Sequence, residues 1–189
     1  MKEHNLQKKY LLFKAKNKDP KAFSKVYDLY TERIYRFVYF KVSNQEQAQD
    51  LTSEVFLKTW QAIIDGKDIR NLNAFIYKVA RNLVIDYYRQ ERKREVALDQ
   101  EEVEQQQMTA VVDQLKEMET KLEVEKIEAK LKELKDEYRE VIILRFIEGL
   151  SIKEIAEIVD KKTGTVRVIL YRAINTLKEL MSESEGQES

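Results

Sequence analysis

Five basic residues and no acidic residue occur between Lys161 and Lys178, in a chain whose 34 lysines and arginines are balanced by 34 aspartates and glutamates. Such a local excess of positive charge favours contact with a polyanion, most simply duplex DNA. The five cations are Lys161, Lys162, Arg167, Arg172 and Lys178.

The residues that precede this cluster have the local signals of a helix-turn-helix. Ser151 and Glu154 form the pattern of a capping box, in which each side chain satisfies an unpaired amide at a helix start. Gly149 stands where the preceding helix must stop. Residues 160–162 form the predicted turn. Because capping box, turn and one-sided charge agree, DNA binding is favoured over a merely solvated charged face.

The helix after the turn is predicted to have two distinct faces, and either Thr163 or Thr165 is placed to cap it. The apolar face comprises Val166, Ile169, Leu170, Ala173 and Leu177. The other face comprises Thr165, Arg167, Val168, Tyr171 and Arg172. A helix that enters the major groove from its N-terminal end would bring this second face to the edges of the bases.

Composition limits both the fold class and the chemistry. Four glycines and one proline are few for a sheet protein, whose many turns need both residues. With no cysteine and a single histidine, His4, the chain has little material for a metal site or for catalysis. No apolar run approaches about twenty residues. We therefore expect a soluble, cytoplasmic, all-α protein that is not an enzyme, inserts into no membrane and uses no metal, cofactor or small-molecule substrate.

Charge alternates along the chain and predicts its division into parts. Residues 67–94 carry eight basic and three acidic side chains, whereas residues 95–125 carry ten acidic and two basic ones. The second stretch begins with a polar, glutamine-rich run, which is typical of a linker. We expect two small helical bundles at 1–94 and 122–181, joined by a flexible acidic linker at 95–121 and followed by an acidic tail at 182–189.

Four helices are predicted in the first bundle. The first covers Leu6 to Lys16. The second begins after Asp19, an N-cap residue followed by proline, whose missing amide costs nothing at a helix start. Ser43 or Asn44 caps the third helix, which ends near Ile64. The fourth covers Leu72 to Arg94, with a predicted buried stripe of Leu72, Phe75, Ile76, Val79, Leu83 and Tyr87.

The fourth helix also has a face on which cations alternate with aromatic and amide side chains. Arginines can follow the phosphates of a single strand while aromatic rings stack on its bases, at roughly 1–3 kcal/mol for each base. The last cations could instead serve the helix C-terminus, and Tyr88 could equally belong to the core. The face and the cluster at its end comprise Lys78, Arg81, Asn82, Ile85, Asp86, Tyr88, Arg89, Arg92 and Lys93.

The third helix carries a second candidate site. Asp50, Glu54 and Lys58 follow one another at intervals of four residues and therefore share one helical face. This spacing alone favours a ladder of ion pairs. The alternative is a docking face for another protein.

In this order and spacing, these segments resemble the extracytoplasmic-function (ECF) group of bacterial sigma factors over nearly the whole chain. The stretches DPKAFSKVYDLYTERIYRFVYFKV and QAQDLTSEVFLKTWQAI resemble regions 2.1 and 2.2 of that group. NLNAFIYKVARNLVIDYYRQERKR resembles regions 2.3 and 2.4, and the helix-turn-helix that begins GLSIKEIAEI resembles region 4.

The resemblance implies a partner and a role for each predicted site. Asp50 and Glu54 would bind the clamp helices of the β′ subunit of core RNA polymerase. The fourth helix would hold the single non-template strand of the −10 element of promoter DNA. The last helix would read the −35 element as duplex, and an anti-sigma protein is common in the group. The residues implied at the −35 element are Lys161, Lys162, Thr163, Thr165, Arg167, Val168, Tyr171 and Arg172.

Two departures from the family pattern concern the helix-turn-helix. Asp160 stands where glycine is usual, so we expect a positive φ at an aspartate. Val168 stands where serine is usual, so base readout leans on contact with a thymine methyl group. The alternative function is a helix-turn-helix transcriptional regulator that never joins polymerase. Such a protein would need a ligand-binding or phospho-acceptor domain and would be expected to dimerise.

Overall fold

Every regular element in the described part of the structure is helical, which confirms the all-α prediction. The structure is a computed structural model, and it describes residues 19–97 and 130–185. The helices fall into two compact units, one within Met1–Met108 and the other within Thr109–Ser189. The helices are α1 (Pro20–Val42), α2 (Gln45–Ile64), α3 (Leu72–Ala97), α4 (Asp136–Ile142), α5 (Ile152–Val159) and α6 (Thr163–Glu185).

Several predicted segments lie outside the described residues. They are the first helix at 6–16, the linker at 98–121, the start of the second bundle at 122–129 and the end of the tail at 186–189. Two helices are longer than predicted. The α3 helix ends at Ala97 rather than at Arg94, since residues 95–97 contain no helix breaker. The α6 helix continues to Glu185, into the segment predicted as tail.

Capping side chains set the ends of α1 and α2 as the sequence predicts. The Asp19 carboxylate accepts a hydrogen bond from the Lys21 amide at 3.0 Å, directly before Pro20. Of the two candidate caps for α2, Asn44 is the one used, because its side chain accepts from the Gln47 amide at 3.0 Å. Ser43 instead ends α1 in a left-handed conformation, with φ 53°.

The core of the first unit is rich in aromatic side chains. Tyr30, in α1, is fully buried, and its hydroxyl donates to the Asn73 side chain of α3. Phe37 meets Tyr77 edge-on, with ring centroids 5.4 Å apart. These contacts bring α1 and α3 together, and both helices also pack on α2.

The buried face of α3 differs from the predicted stripe. Leu72, Ile76 and Leu83 are buried as expected, but Phe75, Val79 and Tyr87 are only half-buried. Their places in the core are taken by Ala74, Tyr77, Ala80 and Val84. A helix that packs against two neighbours buries a broader face than the single stripe that a 3.6-residue period identifies.

In the second unit, α4 continues into a π-helical turn at Ile143–Ile147. The Glu148 amide donates to the Ile143 carbonyl at 2.9 Å, five residues back, which defines that turn. Arg139 stabilises the chain before α4, because its guanidinium donates to three main-chain carbonyls at 2.8–3.1 Å. These carbonyls belong to Leu131, Lys132 and Leu134.

Candidate nucleic-acid interface

The predicted single-strand face of α3 lies on the side of that helix away from the core. Its members recur every three or four residues, so they form one continuous strip along the helix. Arg81 is half-buried, and the Lys93 side chain lies outside the described part of the chain. The exposed members are Lys78, Asn82, Ile85, Asp86, Tyr88, Arg89 and Arg92.

Tyr88 is held in place and exposed at the same time. Its hydroxyl donates to the Lys41 carbonyl at the end of α1, at 2.6 Å. Its ring meets that of Tyr87 edge-on at 5.3 Å, yet 42% of the residue remains exposed. The sequence left core and functional roles equally open for Tyr88. The structure gives it an anchored hydroxyl and a partly exposed ring, an arrangement suited to stacking on a base.

Replacing Tyr88 with phenylalanine should lower the free energy of unfolding by about 0.5–1.5 kcal/mol, because one hydrogen bond is lost. The ring remains, so affinity for a single-stranded promoter oligonucleotide in complex with polymerase should change little. Tyr88→Ala removes the ring as well and should weaken that affinity by about 1–3 kcal/mol. Thermal unfolding and fluorescence anisotropy measure the two effects. Equal oligonucleotide affinity for both variants would contradict a stacking role.

Asp86 lies where the cationic strip meets an acidic groove. Its carboxylate is 3.6 Å from the Arg89 guanidinium on the strip. It also lines a cavity of about 420 Å³ between α2 and α3. Acidic side chains line this cavity together with one cation, Lys58, and with apolar side chains at Leu51, Leu83 and Tyr87. The acidic lining residues are Asp50, Glu54, Asp86 and Glu91.

The predicted docking face of α2 contains an apolar residue that the sequence reasoning missed. Asp50 is exposed, and Glu54 forms an ion pair with Lys58 at 3.2 Å. Leu57, three residues after Glu54, is 66% exposed. Its spacing of seven residues from Asp50 was the available signal, since residues seven apart share a helical face. Acidic groups around an exposed leucine suit a basic protein partner.

The helix-turn-helix forms as its local signals predict. The Ser151 amide donates to the Glu154 carboxylate at 2.9 Å, and the Glu154 amide donates to the Ser151 hydroxyl at 3.3 Å. Gly149 has φ 66°, and Asp160 has φ 56°. The left-handed aspartate in the turn confirms the expectation drawn from the family's usual glycine.

The start of the last helix corrects one prediction. Lys162 is the N-cap residue, because its carbonyl accepts from the Val166 amide at 3.1 Å. Thr163 and Thr165 therefore lie inside the first turn of α6 and do not cap it. All eight residues predicted to contact duplex DNA are exposed. They are Lys161, Lys162, Thr163, Thr165, Arg167, Val168, Tyr171 and Arg172.

One of these cations has a protein partner. The Lys161 ammonium lies 3.1 Å from the Glu137 carboxylate at the start of α4, and both side chains are partly exposed. This pair links the turn to α4, the second helix before it. A phosphate that approaches Lys161 would compete with Glu137. A phosphate contact there would therefore contribute less binding free energy than a contact with a lysine outside any ion pair.

Within residues 19–97 and 130–185, no group of three or more histidine, cysteine or acidic residues could hold a metal ion. None of the helices in these ranges has the length and apolar character needed to cross a membrane.

The comparisons with known proteins cover both units. The model for Sigma-70 region 2 matches residues 26–94, and the model for Sigma-70, region 4 matches residues 125–177. ECF RNA polymerase sigma factor SigW of Bacillus subtilis is 31% identical over 89% of this chain and 94% of its own length. ECF RNA polymerase sigma factor BldN of Streptomyces coelicolor is 32% identical over 92% of this chain, which spans 65% of the length of BldN.

Solved structures show the same fold. CnrH, in complex with the cytosolic domain of CnrY, superposes with a TM-score of 0.69 at 20% identity, over 92% of this chain and 96% of that one. RpoE of Bartonella quintana, in complex with the anti-sigma factor NepR, gives 0.63 at 24% identity, over 86% and 98%. Together with the two matched regions and the relatives, this shows that the chain belongs to the ECF group of the sigma-70 family, whose members bind core RNA polymerase and direct it to promoters.

Proposed function

We propose that this sigma factor uses three helices for three separate contacts with polymerase and promoter DNA. The α2 face around Asp50 and Glu54 docks on the β′ clamp helices of core polymerase. The strip on α3 holds the non-template strand of the −10 element, and α6 reads the −35 element as duplex. The observation that carries the proposal is the exposed face of α6, where cations occur and no acidic residue precedes Glu179.

The electrostatics of the first unit support separate surfaces for protein and nucleic acid. Four acidic residues and one cation, Lys58, line the groove between α2 and α3, whereas the outer strip of α3 carries exposed Lys78, Arg89 and Arg92. Phosphates would be repelled from the groove and attracted to the strip. Asp86 lies at the border of the two. We assign it the role of orienting Arg89 rather than contacting DNA itself.

Replacing both Asp50 and Glu54 with alanine should weaken polymerase binding by roughly tenfold or more, equal to about 1.4 kcal/mol. The helical circular dichroism signal should not change, because both side chains are partly or fully exposed. The affinity for core polymerase can be measured by fluorescence anisotropy of the labelled chain.

The matched control is the double variant Asp28→Ala with Glu32→Ala. These acidic residues are also exposed and four apart, but they lie on α1. The control loses the same charge and should keep wild-type affinity. If the two double variants bind polymerase equally well, the docking face is misassigned.

Each of the two DNA-binding surfaces can have a low affinity for DNA by itself, because both act on one polymerase. The formal net charge of the chain is +0, so nonspecific attraction to DNA is weak. Once one element is bound, the second contact becomes intramolecular, with a high effective concentration. As in other members of the family, we also propose that an anti-sigma protein binds the factor and inhibits it.

Run-off transcription with core polymerase on genomic fragments tests the proposal as a whole. Specific starts that require this chain are the expected result. A dimer that binds duplex DNA but gives no such starts would instead support a regulator that acts without polymerase.

A further inference from the structure

Gly164, in the first turn of α6, is a glycine that the fold does not require. Apart from its two chain neighbours and the adjacent backbone of its own helix, a Cβ atom built on it would meet no atom within 4 Å. Its backbone is helical, unlike that of Gly66 and Gly149, whose φ angles of 75° and 66° exclude most other residues. An alanine at position 164 would fit without strain and would favour the helix, because glycine loses more backbone entropy on folding.

Gly164 lies at the centre of the exposed face of α6. Val166 and Ala173, about 180° away around the helix at 100° per residue, are fully buried. Arg167, Val168 and Tyr171 follow at three, four and seven residues, so they continue the same line along the helix. Val168 is 49% exposed and Tyr171 is 68% exposed.

We propose that Gly164 is the point of closest approach between α6 and the duplex, and that a side chain there would hold the helix away from the groove. This inference rests on the proposed function of α6. It accounts for a glycine that lowers helix stability at a position with open space. It also gives the exposed face a sequence of contacts along the helix. The backbone at Gly164 comes first, and the side chains of Arg167 and Val168, which would read the bases, follow one turn later.

Two variants of increasing size, Gly164→Ala and Gly164→Val, test the proposal in the full chain. Holoenzyme binding is measured on a fluorescein-labelled duplex promoter fragment from a start found by run-off transcription. Gly164→Ala should raise the melting temperature by about 2–5 °C and weaken DNA binding roughly tenfold. Gly164→Val should weaken DNA binding further, whatever its effect on the melting temperature.

The decisive result is that Gly164→Ala has a higher melting temperature and a lower affinity for DNA than the wild type. Wild-type DNA affinity of Gly164→Ala would overturn the inference. A lower melting temperature would overturn it too, since the glycine would then serve the fold. Arg167→Ala and Lys162→Ala test separately whether α6 binds duplex DNA at all. If they weaken DNA binding while Gly164→Ala does not, only the inference fails. If none of these variants weakens binding, α6 does not read duplex DNA.

Discussion

Replacing Arg167 with alanine is expected to weaken binding of the holoenzyme to its promoter by roughly 5- to 150-fold, or about 1–3 kcal/mol. Arg167 is exposed in the first turns of α6, on the same line as Gly164 and Val168. A guanidinium in that position can donate two parallel hydrogen bonds to a guanine edge, and alanine can donate none. Stability should hardly change, because the side chain is exposed.

Lys178→Ala is the matched control for this variant. It removes one positive charge from the same helix, three turns further on, where the side chain is also exposed. It should reduce affinity only slightly and equally for all promoter sequences. Run-off transcription from a library randomised in the −35 element distinguishes the two effects. If Arg167→Ala keeps the wild-type preference at every base, Arg167 is not a reading residue.

The second large effect is expected from Arg139→Ala, which should lower the free energy of unfolding of the second unit by about 1.5–3 kcal/mol. Arg139 donates to the carbonyls of Leu131, Lys132 and Leu134 at 2.9, 2.8 and 3.1 Å. Hydrogen bonds from a charged donor are the stronger kind, and without them these carbonyls lose a partner at the junction with α4. Thermal unfolding of the full chain, followed by circular dichroism, measures the loss.

Arg139→Lys tests whether geometry or charge accounts for the effect. A lysine keeps the charge, but its single nitrogen cannot span carbonyls that a planar guanidinium reaches from separate nitrogens. Its stability should lie between those of the wild type and Arg139→Ala. A lysine variant as stable as the wild type would show that the charge alone is sufficient.

Local signals in the sequence predicted the starts of α1, α2 and α5 well. The caps at Asp19 and Asn44 and the capping box at Ser151 form as predicted, and so does the left-handed Asp160. Each depends on residues within a few positions of one another, so the chemistry that fixes the backbone is visible in a short window. The two threonines at the start of α6 were misassigned by one to three positions, which is within the usual uncertainty of a helix end.

Contacts between distant residues could not be predicted in this way. Tyr77 is buried because Phe37 of α1 lies against it, and Phe75 stays half-buried with the Lys67 ammonium 5.2 Å from the centre of its ring. The ion pair of Lys161 with Glu137 joins residues more than twenty positions apart. Periodicity along one helix carries no information on which neighbour covers each side.

For the candidate site, exposure followed from the helical pattern but partners did not. The exposed face of α6 was correctly anticipated residue by residue. The Lys41 carbonyl holds the Tyr88 hydroxyl only because α1 packs on α3. Asp86 borders both the cationic strip and the acidic groove only because α2 packs on α3. The roles proposed for these residues therefore combine a pattern read from the sequence with contacts that only the folded unit supplies.

The π-helical turn at Ile143–Ile147 lets the second unit accommodate a change of one residue in chain length. A π turn accommodates one residue more than an α-helical turn, and here it leaves Ile143 and Leu144 buried while Phe146 points outward. Deleting one residue there would convert the turn to α-helical geometry, and the segments on either side of it would keep their relative orientation. Homologous chains should therefore differ in length by one residue at this turn more readily than within α4 itself.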